Sequence, residues 1–254
     1  MRALILTYHA IEDGPAPLCL RPDVFEVHVD TVLAAGARVV AVGDLDGDLS
    51  SSSGDEPVVA FTFDDAFESV AQFAAPILAA RGLTATVFCV AGHLGGSNDW
   101  ESDRGRGFRS RLASVEQLRE LRSAGIEVGS HGFSHLPASM VAGARLEREL
   151  VGSRDALEHA LGTEVGSYAY PYGALPDAEG RHLVERTYAA ACTTRVAYVP
   201  AEPDLHALPR VDAHYVRSPE LLRRAVEGSL VGYLAARRLG SRARRVFRQD
   251  YVSA

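Results

Sequence analysis

The stretch PVVAFTFDD (57–65) joins an unbroken apolar run to two adjacent carboxylates. A strand with one wet face alternates polar and apolar residues. Residues 57–63 do not alternate, so they read as a strand covered on both faces, the hallmark of a parallel sheet flanked by helices. Working outward, ALILTY (3–8), ARVVAV (37–42), LTATVFCV (83–90), IEVGS (126–130), VGSYAY (165–170) and TYAAACTT (187–194) have the same character. Helical patterns separate them. Pro22 opens one that closes at Gly36, and another runs from Ala66 to Gly82. Ser114 and Gln117 form a capping box for a third that stops at Gly125, and a fourth spans about 139–161 before Gly162. This βα alternation predicts a barrel or a wound α/β sheet. Two segments break the rhythm: the acidic, serine-rich run DGDLSSSSGDE (46–56), read as a surface turn, and a long excursion over 92–112.

The chain has 254 residues, of which 47% are hydrophobic, enough for a sizeable core and read as a single domain over 1–254. A formal net charge of −7 argues against nucleic acid as the partner. All 26 basic residues are Arg, which reads as coding bias. Cys19, Cys89 and Cys192 are odd in number, far apart and in apolar surroundings, as expected of buried free thiols in a reducing compartment. The N-terminal apolar run leads directly into Tyr8 and His9 with no signal-peptide pattern, and no segment reaches the roughly 20 apolar residues of a membrane span. The expected location is therefore cytoplasmic.

Three constellations carry chemistry. Asp64 and Asp65 sit at the end of a buried strand, where like charges raise one another's pKa and a bound cation would resolve the conflict; a helix cap is the alternative. His131 and His135 follow the strand IEVGS, and their spacing sets two imidazoles one helical turn apart on one side of a bend or helix. One carboxylate with two imidazoles leaves open positions on a Zn²⁺-type ion, as catalytic sites do. Both segments lie at C-terminal strand ends, where barrel active sites assemble. The third is YAYPYG (168–173), where Pro171 and Gly173 shape a turn able to aim backbone N–H groups at a ligand, or simply an aromatic turn.

In this order, TFDD, HGFSH and YAYPYG resemble the motifs of the polysaccharide deacetylases of carbohydrate esterase family four. The resemblance implies a distorted (β/α) barrel of seven parallel strands. It implies that Asp65, His131 and His135 bind one divalent ion, Zn²⁺ or alternatively Co²⁺, Ni²⁺ or Mn²⁺. It also implies that Asp64 is the general base, and that the N–H of Tyr172 stabilises the oxyanion.

Two family features are displaced. Ala169 stands where the third motif carries an Arg, and the late Leu-x-His motif is missing, with ALPRVD (207–212) in its region. The chain instead looks like the circularly permuted branch, similar to poly-N-acetylglucosamine deacetylases, in which the acid-bearing strand comes first. His9 then takes the role of general acid, against the alternative of a core histidine. Arg210, after a short predicted strand over 207–209, is a candidate partner for Asp64, with a nearby surface carboxylate such as Asp212 as the competing partner. Trp100 and Arg109 either form part of a sugar platform or merely pack. The Arg-rich helical segment 217–254 is a solvated face or a peripheral contact with an anionic glycolipid or membrane. The implied activity is hydrolysis of the N-acetyl group of a GlcNAc-type sugar. The alternatives are an O-acetyl carbohydrate esterase and a catalytically silent glycan-binding barrel.

Overall fold

A computed structural model describes residues 3–47, 56–100 and 107–239. Parts of the serine-rich run and of the 92–112 excursion lie outside these residues, as do Arg242, Arg244, Arg245 and Arg248 of the C-terminal segment. Strand β1 (Ala3–Tyr8) pairs in parallel with β3 (Val58–Phe63) from Ala3–Val58 to Tyr8–Phe63, and both are buried throughout. β2 (Arg38–Val39) pairs only with the start of β3. Beyond β3 come β4 (Thr86–Cys89), β5 (Glu127–Ser130), β6 (Ser167–Ala169) and β7 (Ala190–Cys192), while β8 (Val211–Asp212) lies outside β1. The order is β7-β6-β5-β4-β3-β1-β8, with every pairing parallel. The sheet curls into a half-barrel with helices around it.

The strand expected over 37–42 shrinks to two residues, because the chain turns into a 3₁₀ segment at Val42–Asp44 whose first N–H is taken by Thr86 Oγ1 at 2.9 Å. The strand expected over 207–209 is reduced to a parallel bridge of Leu208 with Cys192, and the regular strand β8 begins at Val211. Segment 205–212 does two jobs. The N–H of Ala191 donates to Leu205 O (2.7 Å) and that of Thr193 to Leu208 O (2.8 Å), after which Val211 and Asp212 pair with Leu6 and Thr7 of β1. One segment thus spans from β7 to the N-terminal strand.

The helices follow their sequence signals. α1 (Pro22–Ala34) has proline in its first turn. α2 begins at residue 68 and contains a π turn, Val70–Ala74, before Ala75–Ala79, so it starts later than the expected Ala66. α3 (Val115–Ser123) carries the full Ser114–Gln117 capping box. α4 comprises Gly143–Glu147, a π turn Arg148–Gly152 and Ser153–Leu161, and ends at Gly162 in the left-handed conformation. α5 (Ala178–Thr187), capped by Asp177, was not anticipated from the sequence. α6 (Pro219–Val226) opens the C-terminal segment, and residues 231–239 are helical, with Leu230 and Leu234 in the core.

Alternation divides the core. Leu4, Leu6, Tyr8, Phe61 and Phe63 pack with Phe25 under the helices, while Ala3, Ile5, Val58, Ala60 and Phe88 fill the barrel interior. Small inward residues leave room within a narrow barrel. The same period of two carries the interior column of β3 onward through Thr62 to Asp64, and that of β1 through Thr7 to His9.

Arg210, directly before β8, is 1% exposed. Its Nε donates to Thr193 O (3.0 Å), and its two terminal nitrogens donate to Asp64 Oδ1 and Oδ2 (2.7 and 2.8 Å). Burial by itself would raise the Asp64 pKa, but the charges of Arg210 and His131 and the Arg210 hydrogen bonds outweigh it and hold the carboxyl well below its usual range. Replacing Arg210 with Met removes the cation and leaves a buried carboxylate uncompensated, a loss of about 3–5 kcal/mol at neutral pH. In the variant only the burial effect and a weaker electrostatic pull remain, so the folded-state pKa rises and the penalty shrinks as pH falls through the carboxylate range. Denaturant unfolding at pH 7 and pH 4 checks this; an equal gap at both would assign the cost to something other than the Asp64 charge.

Candidate active site

Four loops at the C-terminal ends of the strands build one cluster. Asp64 and Asp65, 4% and 5% exposed, follow β3. The Asp64 N–H donates to Tyr8 O at 2.9 Å, which extends the β1–β3 pairing and brings His9 alongside. His131 follows β5, its N–H donating to Cys89 O at 2.7 Å. Its Nδ1 lies 2.7 Å from the Ala169 carbonyl. A carbonyl only accepts, so Nδ1 donates its proton there, and Nε2 is turned toward Asp65.

His131 Nε2 and His135 Nε2 lie 3.6 and 3.3 Å from Asp65 Oδ1, and the three donor atoms are all within 4.8 Å of one another. A tetrahedral ion with bonds of about 2.0–2.1 Å separates its ligand atoms by about 3.3 Å, so these residues fit a divalent cation. Burial, then the neighbouring His131, holds His135 well below its usual pKa, which keeps the ring neutral as a ligand must be. The two histidines are not on a helix. They flank a bend in which His135 has φ 56°.

Among the described residues, the non-glycine positions with positive φ are Asp65, Ala66, His135 and Tyr172. All belong to these loops or adjoin them. Such conformations cost about 1–3 kcal/mol each and persist only where the surroundings enforce them. Here rings do so: His135 lies between Trp100 (centroids 4.6 Å apart) and Tyr172 (4.8 Å), and Trp100 meets His93 edge-on at 5.1 Å. Trp100 is 2% exposed, so it packs on His135 and presents no face as a sugar platform. Arg109 reaches back to the Asn98 carbonyl within the same loop. Tyr172 is 39% exposed, in the 3₁₀ turn Pro171–Gly173 that follows β6.

His9 is partly buried, and its charge bears on Asp64, His135 and Asp212. Asp212 is not the surface partner of Arg210 considered from sequence. Arg210 forks onto Asp64, whereas Asp212 Oδ1 accepts the His214 N–H at 2.8 Å and pairs in register with Thr7, two residues before His9. Its burial raises its pKa, and His9 opposes that. The Arg210-x-Asp212 spacing on a strand was a signal that both face one side. Cys19, Cys89 and Cys192 are buried free thiols.

The chain matches the polysaccharide deacetylase family model over residues 51–190. The Bacillus subtilis (strain 168) protein YxkH is 23% identical over 208 residues, covering 82% of this chain and 70% of that one. The Streptococcus pyogenes deacetylase PplD, solved in complex with acetate, has a TM-score of 0.74 at 24% identity, covering 89% of this chain and 98% of its own. IcaB from Ammonifex degensii has a TM-score of 0.70 at 22% identity, covering 89% and 95%. At such identities the solved structures bear on the fold, which they share. The family model spans more than half of the sequence, including the carboxylate pair and both histidines, and the chain belongs to the polysaccharide deacetylase family of hydrolases.

Proposed function

We propose that this protein is a metal-dependent deacetylase acting on the N-acetyl group of a GlcNAc-type sugar, in a polysaccharide, an oligosaccharide or a glycoconjugate. The observation that carries the reading is the buried, ionised Asp64 held by Arg210 beside the Asp65, His131 and His135 triangle. A silent glycan-binding barrel would have no use for a second buried carboxylate next to the ligand set. Asp65, His131 and His135 hold the divalent ion, with Zn²⁺ favoured by two imidazoles and one carboxylate. When bound, the ion lowers the pKa of its water towards about 7 and polarises the acyl carbonyl.

The chain's own groups do the rest. Asp64 accepts the proton of the attacking water. Its depressed pKa keeps it unprotonated at neutral pH, and Arg210 fixes both of its oxygens. The Tyr172 N–H stabilises the oxyanion that forms as the carbonyl carbon becomes tetrahedral. His9 donates a proton to the leaving nitrogen, with Asp212 steadying its charge. The three buried free thiols support a cytoplasmic location. No helix among the described residues is long and apolar enough to cross a membrane. A peripheral contact with an anionic glycolipid rests on the Arg-rich sequence around Arg237 and Arg238 and beyond.

Acetate release from GlcNAc oligomers, acetylated xylan and lipid- or nucleotide-linked amino sugars tests the activity. Wild-type protein reconstituted with Zn²⁺ should take up one ion per chain. A chelator should abolish turnover, and His135→Ala should lose both ion and activity. No stoichiometric uptake by the wild type would end the catalytic reading.

Asp64→Asn should retain the ion while losing about 10²–10⁴-fold in turnover, because it deletes the base and spares the ligands. Metal analysis beside initial rates separates the two. Near-wild-type rates would remove Asp64 from the role.

The His9 assignment discriminates amide from ester chemistry. An amine anion is a poor leaving group and needs a proton, whereas an activated phenolate departs unaided. His9→Ala should therefore depress amide hydrolysis far more than aryl acetate hydrolysis, at unchanged metal content. Equal losses on both substrates would show that His9 is not the acid.

A further inference from the structure

Glu149 is 2% exposed and lies in the π turn Arg148–Gly152 that interrupts α4. Its Oε2 accepts the backbone N–H of Phe133 at 3.0 Å and that of Ser134 at 2.9 Å. These two peptides form the middle of the bend between His131 and His135. A buried carboxylate is costly to desolvate unless donors compensate it, and two converging peptide N–H groups do so here. π turns are rare insertions that gather at functional sites, and this one presents Glu149 to the bend.

The bend is shaped to receive it. Gly132 has φ 83°, and a Cβ there would stand 3.1 Å from Glu149 Oε2, tighter than most such contacts. Residues from the β4 side grip the opposite edge: Ala91 and Gly92 donate to the carbonyls of Gly132 and Phe133 at 3.0 and 2.9 Å. The guanidinium of Arg148 covers the Phe133 ring at 4.4 Å. The peptides between the two histidines are thereby fixed by N–H bonds to Glu149 on one side and C=O bonds to the β4 loop on the other. His135 leaves this fixed run in the left-handed conformation that points Nε2 at Asp65.

We propose that Glu149 is a positioning residue for the divalent ion: its carboxylate anchors the Phe133 and Ser134 peptides and so sets the separation of the two histidine donors. This rests on the reading of Asp65, His131 and His135 as the ion's ligands. Glu149 touches neither substrate nor ion in this role, and its effect is transmitted through the backbone of the bend.

The test compares Zn²⁺ affinity, by competition with a chelator, and the absorption spectrum of the Co²⁺-loaded protein across variants. Glu149→Ala should weaken Zn²⁺ binding by about 10–100-fold and alter the Co²⁺ bands, the range usual for loss of a residue supporting a ligand. Glu149→Gln should come within about threefold of the wild type, since its amide oxygen can still accept both N–H groups. Should Glu149→Ala fail to fold, Glu149→Asp carries the test, because it keeps the charge and withdraws the oxygen by one methylene; it should show the same weakened binding. Leu157→Ala loosens α4 without touching the bend and should keep wild-type affinity despite a lower Tm.

Wild-type affinity and spectrum in Glu149→Ala or Glu149→Asp would overturn the proposal, as would a matching loss in Leu157→Ala. A wild-type protein that takes up no ion would overturn it together with the ligand assignment. A wild type that binds the ion and releases acetate, alongside Glu149 variants that bind equally well, would overturn this inference alone.

Discussion

The guanidinium of Arg210 is buried with both terminal nitrogens on Asp64 and its Nε on the Thr193 carbonyl. It ties the segment leading into β8 to the residues that follow β7 and β3. It also supplies the charge that lets Asp64 be ionised while 4% exposed. A buried ion pair gives little net stability relative to an apolar pair of the same shape, because two charges must be desolvated. Its presence at the top of the half-barrel keeps Asp64 a carboxylate, fixed in direction, one residue from the Asp65, His131 and His135 group. Thr62, below Asp64 on the same strand, takes a further bond from Arg210, so the pair is seated on the inward column of β3.

Around this pair the ligand loops are held in conformations that L-residues avoid. Asp65, His135 and Tyr172 each have positive φ. His135 is clasped by the Trp100 and Tyr172 rings, and the bend before it by Glu149 and the β4 loop. The His131 tautomer is set by the Ala169 carbonyl of the next strand. Rigidity of this kind is what a site of fixed donor separation requires, since preorganised ligands lose less entropy when the ion enters. The π turns in α2 and α4 belong to the same pattern. Ser69, just before the first, accepts the Ile11 N–H at 3.1 Å and tethers the segment that carries His9.

The sequence was legible where a local signal decided the outcome. The apolar runs of β1, β3 and β5 lie close to where periodicity set them, and the Ser114 capping box and the Gly162 stop formed as read. Asp64, Asp65, His131 and His135 were visible because their motifs begin at strand ends, where a parallel barrel gathers its loops, and Tyr172 through the resemblance of YAYPYG to the family's third motif. The reading was poorer where pairing partners are distant in sequence. Residues 37–42 have strand propensity throughout, yet only Arg38–Val39 find a partner before the chain turns to meet Thr86. For Trp100 the sequence left open a sugar platform or mere packing, and its contacts with His93 and His135 decided for packing.

By itself the sequence determined the parallel α/β class, the capped helix ends at Ser114 and Gly162 and the identities of the groups able to hold an ion, because alternation, capping and strand-end position act over a few residues and need no knowledge of distant neighbours. Tertiary structure alone decided which carboxylate Arg210 pairs with, that Asp212 belongs beside the His9 strand, and that Glu149 reaches the bend between the histidines. Those outcomes depend on how the sheet curls and where segment 205–212 crosses from β7 to β1. They join Arg210 to Asp64 and Glu149 to Phe133 through space, where burial makes a charge seek whichever partner the curled sheet puts within reach.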